Sequence, residues 1–228
     1  SIPPTIGNLT NLNYLYLSSN LLSGSIPPEL GNLTKLNTLD LADNLLSGGN
    51  IPSELGNLTN LNYLYLSYNL LSGSIPPELG NLTNLSEFNL SNNQLSGAMP
   101  LELGNLSFKF EGASFDLSDN QLSGIIPPEL GNFKNLFLFD LSNNQLSGTI
   151  PPELGNLSFK PEGALLDLSN NKLSGNIPSN LGNLSFNLNG NLYLSNNQLT
   201  GSIPAALGNI SQLRHLNLSN NRLSGIIP

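Results

Sequence analysis

One block, reading L-x-x-L-x-L-x-x-N-x-L-S-G-x-I-P-x-x-L-G-N-L, recurs nine times along this chain of 228 residues. The units begin at Ser1, Ser25, Asn50, Ser74, Ala98, Ile125, Thr149, Asn176 and Ser202, and Ile226 opens a partial tenth. Their lengths run from 24 to 27 residues. A unit of that size cannot bury its own apolar face, so neighbouring units must stack to make a continuous core. Length alone would allow one or two globular domains, but a uniform repeat overrides that prior, and residues 1–228 are expected to form a single solenoid domain. The many glycines and prolines follow the repeat, one S-G and one I-P in most units, and therefore mark turns and not disorder.

The first unit illustrates the local physics. Leu15 and Leu17 lie two apart and face inward, while Tyr14, Tyr16 and Ser18 face outward, which is the alternation of a short strand buried on one side. The same phase returns at 39–41, 64–66, 88–90, 115–117, 139–141, 165–168, 192–194 and 216–218, predicting nine parallel strands. An asparagine closes each of them: Asn20, Asn44, Asn69, Asn93, Asn120, Asn144, Asn171, Asn197 and Asn221. An amide both donates and accepts, so this column reads as structural, satisfying backbone groups left unpaired where the chain turns. The I-P pair keeps the chain extended, and L-G-N-L is expected to close a short helical or 3₁₀ turn on the convex side. The fold class is therefore an α/β solenoid with a parallel concave sheet.

Composition removes several chemistries. With no cysteine, disulfides, thiolate nucleophiles and zinc-thiolate sites are excluded, and no cofactor is implied. A formal net charge of −8 argues against nucleic acid as a partner, because phosphate binding needs a basic face. The charge is uneven, −11 over residues 1–167 and +3 over the rest, through drift of surface positions or complementarity between the two ends. Apolar runs are too short for a membrane segment, and no amino-terminal stretch resembles a signal peptide, so any targeting sequence is expected outside this chain.

The segment SGSIPPELGNL, intact at 23–33 and 72–82, resembles the plant-specific subclass of leucine-rich repeats. The whole chain is similar to plant receptor-kinase extracellular regions, polygalacturonase-inhibiting proteins and plant leucine-rich-repeat antifreeze proteins. That resemblance implies a leucine-rich repeat horseshoe, secretion to an extracellular location, N-glycosylation and a second short sheet formed at I-P. Two departures stand out. Cysteine-paired caps are missing at both ends, as expected of a fragment of a longer array or of a unit covered by neighbours. Units five, seven and eight are lengthened around 106–113, 157–164 and 184–190. These insertions are expected as loops on one face, with Phe108, Phe159 and Phe186 either tucked into the core or marking a contact edge.

Candidate contact residues occupy the outward strand positions. One column runs Tyr16, Asp40, Tyr65, Asn89, Asp116, Asp140, Asp167, Tyr193 and Asn217; beside it run Tyr14, Thr38, Tyr63, Glu87, Ser114, Leu138, Leu165, Asn191 and His215. They combine an aromatic patch in units one and three with an acidic stripe, a surface suited to a basic peptide or protein loop with tyrosine anchors, or else a solvated sheet face. Asp116 and Asp140 on adjacent strands have the spacing of a glycosidase pair. An open face with no pocket gives them no means of excluding water, so an enzyme is not expected. The lone His215 carries no site. Sequons occur at Asn8, Asn32, Asn57, Asn81, Asn84, Asn89, Asn105, Asn156, Asn183, Asn209 and Asn217, eight of them at the G-N step, predicting a row of glycans. The leading expectation is a non-catalytic recognition or scaffold module for a protein or peptide. Two alternatives are a structural subunit stacking on further copies of itself end to end into a glycosylated filament, and an ice-binding protein using the serine column of Ser18, Ser67, Ser91, Ser118, Ser142, Ser169, Ser195 and Ser219.

Overall fold

A computed structural model describing Ser1–Pro228 places the nine expected strands in one parallel sheet in chain order. They are Tyr14–Tyr16, Thr38–Asp40, Tyr63–Tyr65, Glu87–Asn89, Ala113–Asp116, Leu136–Asp140, Leu165–Asp167, Gly190–Tyr193 and Leu213–Asn217. Beneath them a single cluster of 55 buried apolar residues runs through the coils. Its central section is aromatic: Phe88, Phe115 and Phe139 occupy the mid-strand position on successive strands, with ring centroids 5.4 and 5.5 Å apart. Phe108 and Phe133 pack edge-on against Phe115 from the opposite side of the coil.

Opposite the sheet, every unit carries a five-residue 3₁₀ turn, from Pro4–Asn8 in the first to Ala205–Asn209 in the last, and no α-helix forms. Proline at the preceding position supplies an extended entry, as at Pro27 with φ −72° and ψ 133°. The glycine of each L-G-N step but the last, Gly208, sets how closely coils approach. At Gly80 an added Cβ would run into the backbone carbonyl of Glu102 in the next coil.

The asparagine column lies beside this core. The Asn69 amide shares its protons among the carbonyls of Leu41, Leu66 and Ser67 at 3.0–3.2 Å, and its oxygen accepts from the Leu46 N–H at 3.0 Å. One side chain thus satisfies backbone groups of its own coil and the previous one. The residue before each asparagine adopts the left-handed conformation: Ser19, Asp43, Tyr68, Asn92, Asp119, Asn143, Asn170, Asn196 and Asn220. Asparagine and aspartate tolerate that geometry, whereas Tyr68 at φ 53° is strained.

Three expectations need correction. The second set of short strands does not form at I-P but just upstream, in the Q-L-S-G stretch, as at Gln94–Ala98 and Gln121–Gly124. Proline lacks the N–H a ladder requires, so pairing ends before it. The serine column is not an outward row either. Ser67, Ser91, Ser118, Ser142, Ser169 and Ser195 are buried beside the strand ends, and the Ser91 and Ser118 hydroxyls donate to Asn89 and Asp116. Finally, the insertions of units seven and eight are not simple loops. Ser158–Phe159 and Ser185–Phe186 pair in parallel and extend the main sheet, while Phe108, Phe159 and Phe186 are buried and the last two stack at 4.6 Å.

Candidate functional site

Strand register carries the two outward columns straight across the sheet. Tyr14, Thr38, Tyr63 and Glu87 are successive neighbours across the strands, as are Tyr16, Asp40, Tyr65 and Asn89. Because side chains alternate along a strand, Tyr14 and Tyr16 emerge on the same face, with parallel rings 6.4 Å apart. Tyr63 and Tyr65 repeat the arrangement at 6.4 Å. Between these pairs the second strand carries only the shorter Thr38 and Asp40, and Thr38 is buried. A cleft of about 440 Å³ results, walled by the four tyrosines and floored by Asn37 and Thr38. Of the two floor residues, Thr38 stands in the outward column read from the sequence, whereas Asn37 was absent from the sequence-based candidates. The signal for the floor was available, because a short side chain between two long ones in one column necessarily makes a depression.

Burial raises the Tyr65 phenol to about 12, with the negative charge of Glu87 adding to it. Burial also raises the Glu87 carboxyl, and nearby Asp116 pushes in the same direction. Asp40 turns back on its own coil boundary: one oxygen accepts from the Ser18 hydroxyl at 2.8 Å and the other from the Ala42 N–H at 3.1 Å.

The acidic stripe lies further along the sheet, with Asp140 in register between Asp116 and Asp167. Each carboxylate accepts from the N–H two residues on, Ser118, Ser142 and Ser169 respectively, at 2.8–3.0 Å. Asn89 and Asn217 make the same bond with their amide oxygens, so the column serves the strand-ending turn whether or not it is charged. Asp140 is the most perturbed of the three: burial lifts its pKa to about 6 against the opposing bonds from Ser142, and the neighbouring Asp167 and Asp116 add to the rise. Asp167 is raised as well, again chiefly by burial. Tyr193 follows Asp167 in the column and is half-buried. His215 is exposed and bonds Asn191 through Nδ1 at 2.6 Å. No group of three or more His, Cys, Asp or Glu is arranged to hold a metal ion.

Elsewhere, the eight G-N sequon asparagines, Asn8, Asn32, Asn57, Asn81, Asn105, Asn156, Asn183 and Asn209, are all exposed at the ends of their 3₁₀ turns, remote from the concave columns. Asn84 is tied down, donating to Thr59 O at 2.8 Å and accepting from Lys109 at 2.9 Å. No helix is long and apolar enough to cross a membrane.

Comparison with known proteins follows the repeat. A family model described as a leucine-rich repeat region matches residues 4–108, and a leucine-rich repeat model matches 113–133, 135–157, 165–184, 190–210 and 212–228. No curated protein matches the chain significantly. Among solved structures, the plant peptide hormone receptor RGFR1 in complex with RGF2 is similar at 41% identity and a TM-score of 0.91, over 98% of this chain and 34% of that one. The leucine-rich-repeat ectodomain of the membrane receptor kinase GASSHO1/SCHENGEN3 from Arabidopsis thaliana, in complex with CASPARIAN STRIP INTEGRITY FACTOR 2, is similar at 36% identity and 0.76, over 100% of this chain and 29% of that one. A plant ice-binding protein is similar at 34% identity and 0.77, over 100% of this chain and 70% of that one. The chain thus spans about a third of the length of the two receptors.

Proposed function

The chain belongs to the plant-type leucine-rich repeat family, and from that premise we propose that it is a non-catalytic, extracellular recognition module that takes an extended peptide or protein segment on its concave sheet. The observation that carries this reading is the register of the two outward columns, which lines up a tyrosine-walled cleft and a row of carboxylates on one open face. An extended segment lying across nine strands meets a different pair of side chains at each, so anchors and selectors come from successive units. Tyrosine is suited to anchoring because its large ring is ordered at small entropic cost. The similarity to a peptide hormone receptor and to a receptor-kinase ectodomain, each solved in complex with a partner, supports a recognition role. On this reading the residues in contact are Tyr14, Tyr16, Asp40, Tyr63, Tyr65, Glu87, Asp116, Asp140, Asp167 and Tyr193, and N-glycans on the exposed G-N row lie opposite the face, whereas a glycan at Asn89 or Asn217, which stand in the outward column, would block part of it.

A peptide selected from a random display library against the intact chain provides the test. Reversing the charge at the centre of the sheet, Asp140→Arg, should weaken its binding by about ten-fold or more. Asn81→Gln on the exposed row opposite should leave binding unchanged. Equal affinities for the two variants would remove the concave face from the reading.

A second reading, ice binding, is favoured by the similarity to the plant ice-binding protein, of which this chain covers the larger part. The buried serine column gives it no surface, so it would rest on an exposed row such as Thr10, Thr34, Thr59 and Thr83. Thermal hysteresis and recrystallisation measurements decide it, and an inactive chain ends it.

A further inference from the structure

We propose that the cleft between the Tyr14–Tyr16 and Tyr63–Tyr65 walls is a specificity pocket for one cationic side chain of the bound segment, a guanidinium or ammonium group held by the tyrosine rings with Asp40 between them. The proposal rests on the concave face being the recognition surface and adds the chemistry of its amino-terminal end.

Size is the first argument. The tyrosine walls stand on strands one and three of the sheet, about 10 Å apart at two strand spacings. That gap admits the tip of a long side chain beside an aromatic ring but not a helix, which is itself about 10–12 Å across. Electron-rich ring faces are the second, because they attract a cation placed over them. Tyr65 contributes a phenol that is neutral throughout the physiological range, its pKa being raised to about 12.

Charge is the third argument. Asp40 lies in register between Tyr16 and Tyr65, and Glu87 follows Tyr63 in the adjacent column. Both Asp40 oxygens are bonded to neutral donors, the Ser18 hydroxyl and the Ala42 N–H, so its negative charge has no cation beside it. Residues 1–97 contain six carboxylates and one cation, Lys35, whose ammonium is engaged by Asn11 Oδ1 at 2.7 Å. A neutral or acidic side chain entering this cleft would therefore forgo its main source of attraction.

The test uses two isosteric probes, N-acetyl-arginine amide and N-acetyl-citrulline amide, titrated into the whole chain and followed by the tyrosine ring signals in NMR. The chain has six tyrosines, and Tyr193 lies remote from the cleft as an internal reference. The arginine probe should shift Tyr14, Tyr16, Tyr63 and Tyr65 along one isotherm, bind about five-fold or more tighter than citrulline, and leave Tyr193 unmoved. Asp40→Asn should reduce that preference while keeping an oxygen for the Ala42 N–H, the bond that Asn89 makes to the Ser91 N–H in the same column. Tyr63→Leu should do the same through the wall. Equal affinity of the two probes, no binding of either, or shifts spread beyond the four rings would overturn the pocket. The charge reversal at Asp140 reports separately on the concave face as a whole.

Discussion

At the residue scale, the most perturbed carboxyl is that of Asp140. Its carboxyl titrates near 6 when folded, above the unfolded value of about 3.9, so the folded state binds the extra proton between those limits. Stability attached to this residue is therefore greatest below pH 4, falls as pH rises through 6 and is constant above it. Thermal denaturation of the native chain should show the midpoint rising on acidification from pH 7.5 to 5. In Asp140→Asn, which keeps an oxygen for the Ser142 N–H as Asn89 does for Ser91, that rise should shrink. An unchanged slope would assign the effect to overall charge instead. The outward position of Asp140 could be read from the alternation at 139–141, but its raised pKa could not. It depends first on burial of the carboxyl and then on Asp167 and Asp116, whose side-by-side placement comes only from the register of three strands.

At the scale of the element, the 3₁₀ turns pack with nothing but glycine between successive coils. Gly80→Ala should destabilise the chain by about 1–3 kcal/mol, because the new methyl has only the rigid carbonyl of Glu102 to displace. Urea denaturation of the alanine variant checks this, and a loss below about 0.5 kcal/mol would mean the coils can part at little cost. L-G-N-L was legible as a turn from glycine and spacing. That its glycine also sets the distance to the next coil was not, since the atom it must avoid is 22 residues away. The displaced second set of strands, which forms three separate short ladders, has the same origin. Its strands pair Ser72 with Gln94 and Ser174 with Gln198, so its position was fixed by which N–H groups face one another across coils.

Across the whole molecule, stability is that of a one-dimensional stack in which each unit leans on its neighbours. The aromatic section around Phe88, Phe115 and Phe139 joins the fourth to sixth units. Phe115→Ala should cost about 3–5 kcal/mol. Amide exchange should show the loss greatest in the strands 113–116 and 136–140 and spreading to both flanks. A purely local loss of protection would mean that the coils unfold independently.

By itself the sequence determined the path of one coil: strand, asparagine turn, S-G turn, extended I-P, 3₁₀ turn. Each step is a local preference of a few residues, repeated until no other fold could satisfy it. Tertiary structure decided what happens between coils, where hydrogen bonds join residues 22 to 30 apart. It buried a serine column that looks exposed in alternation, paired two insertions into strands, and set two tyrosine pairs around the short residues of the intervening strand. A cleft is a relation between neighbouring columns, and it exists only once three coils have come into register.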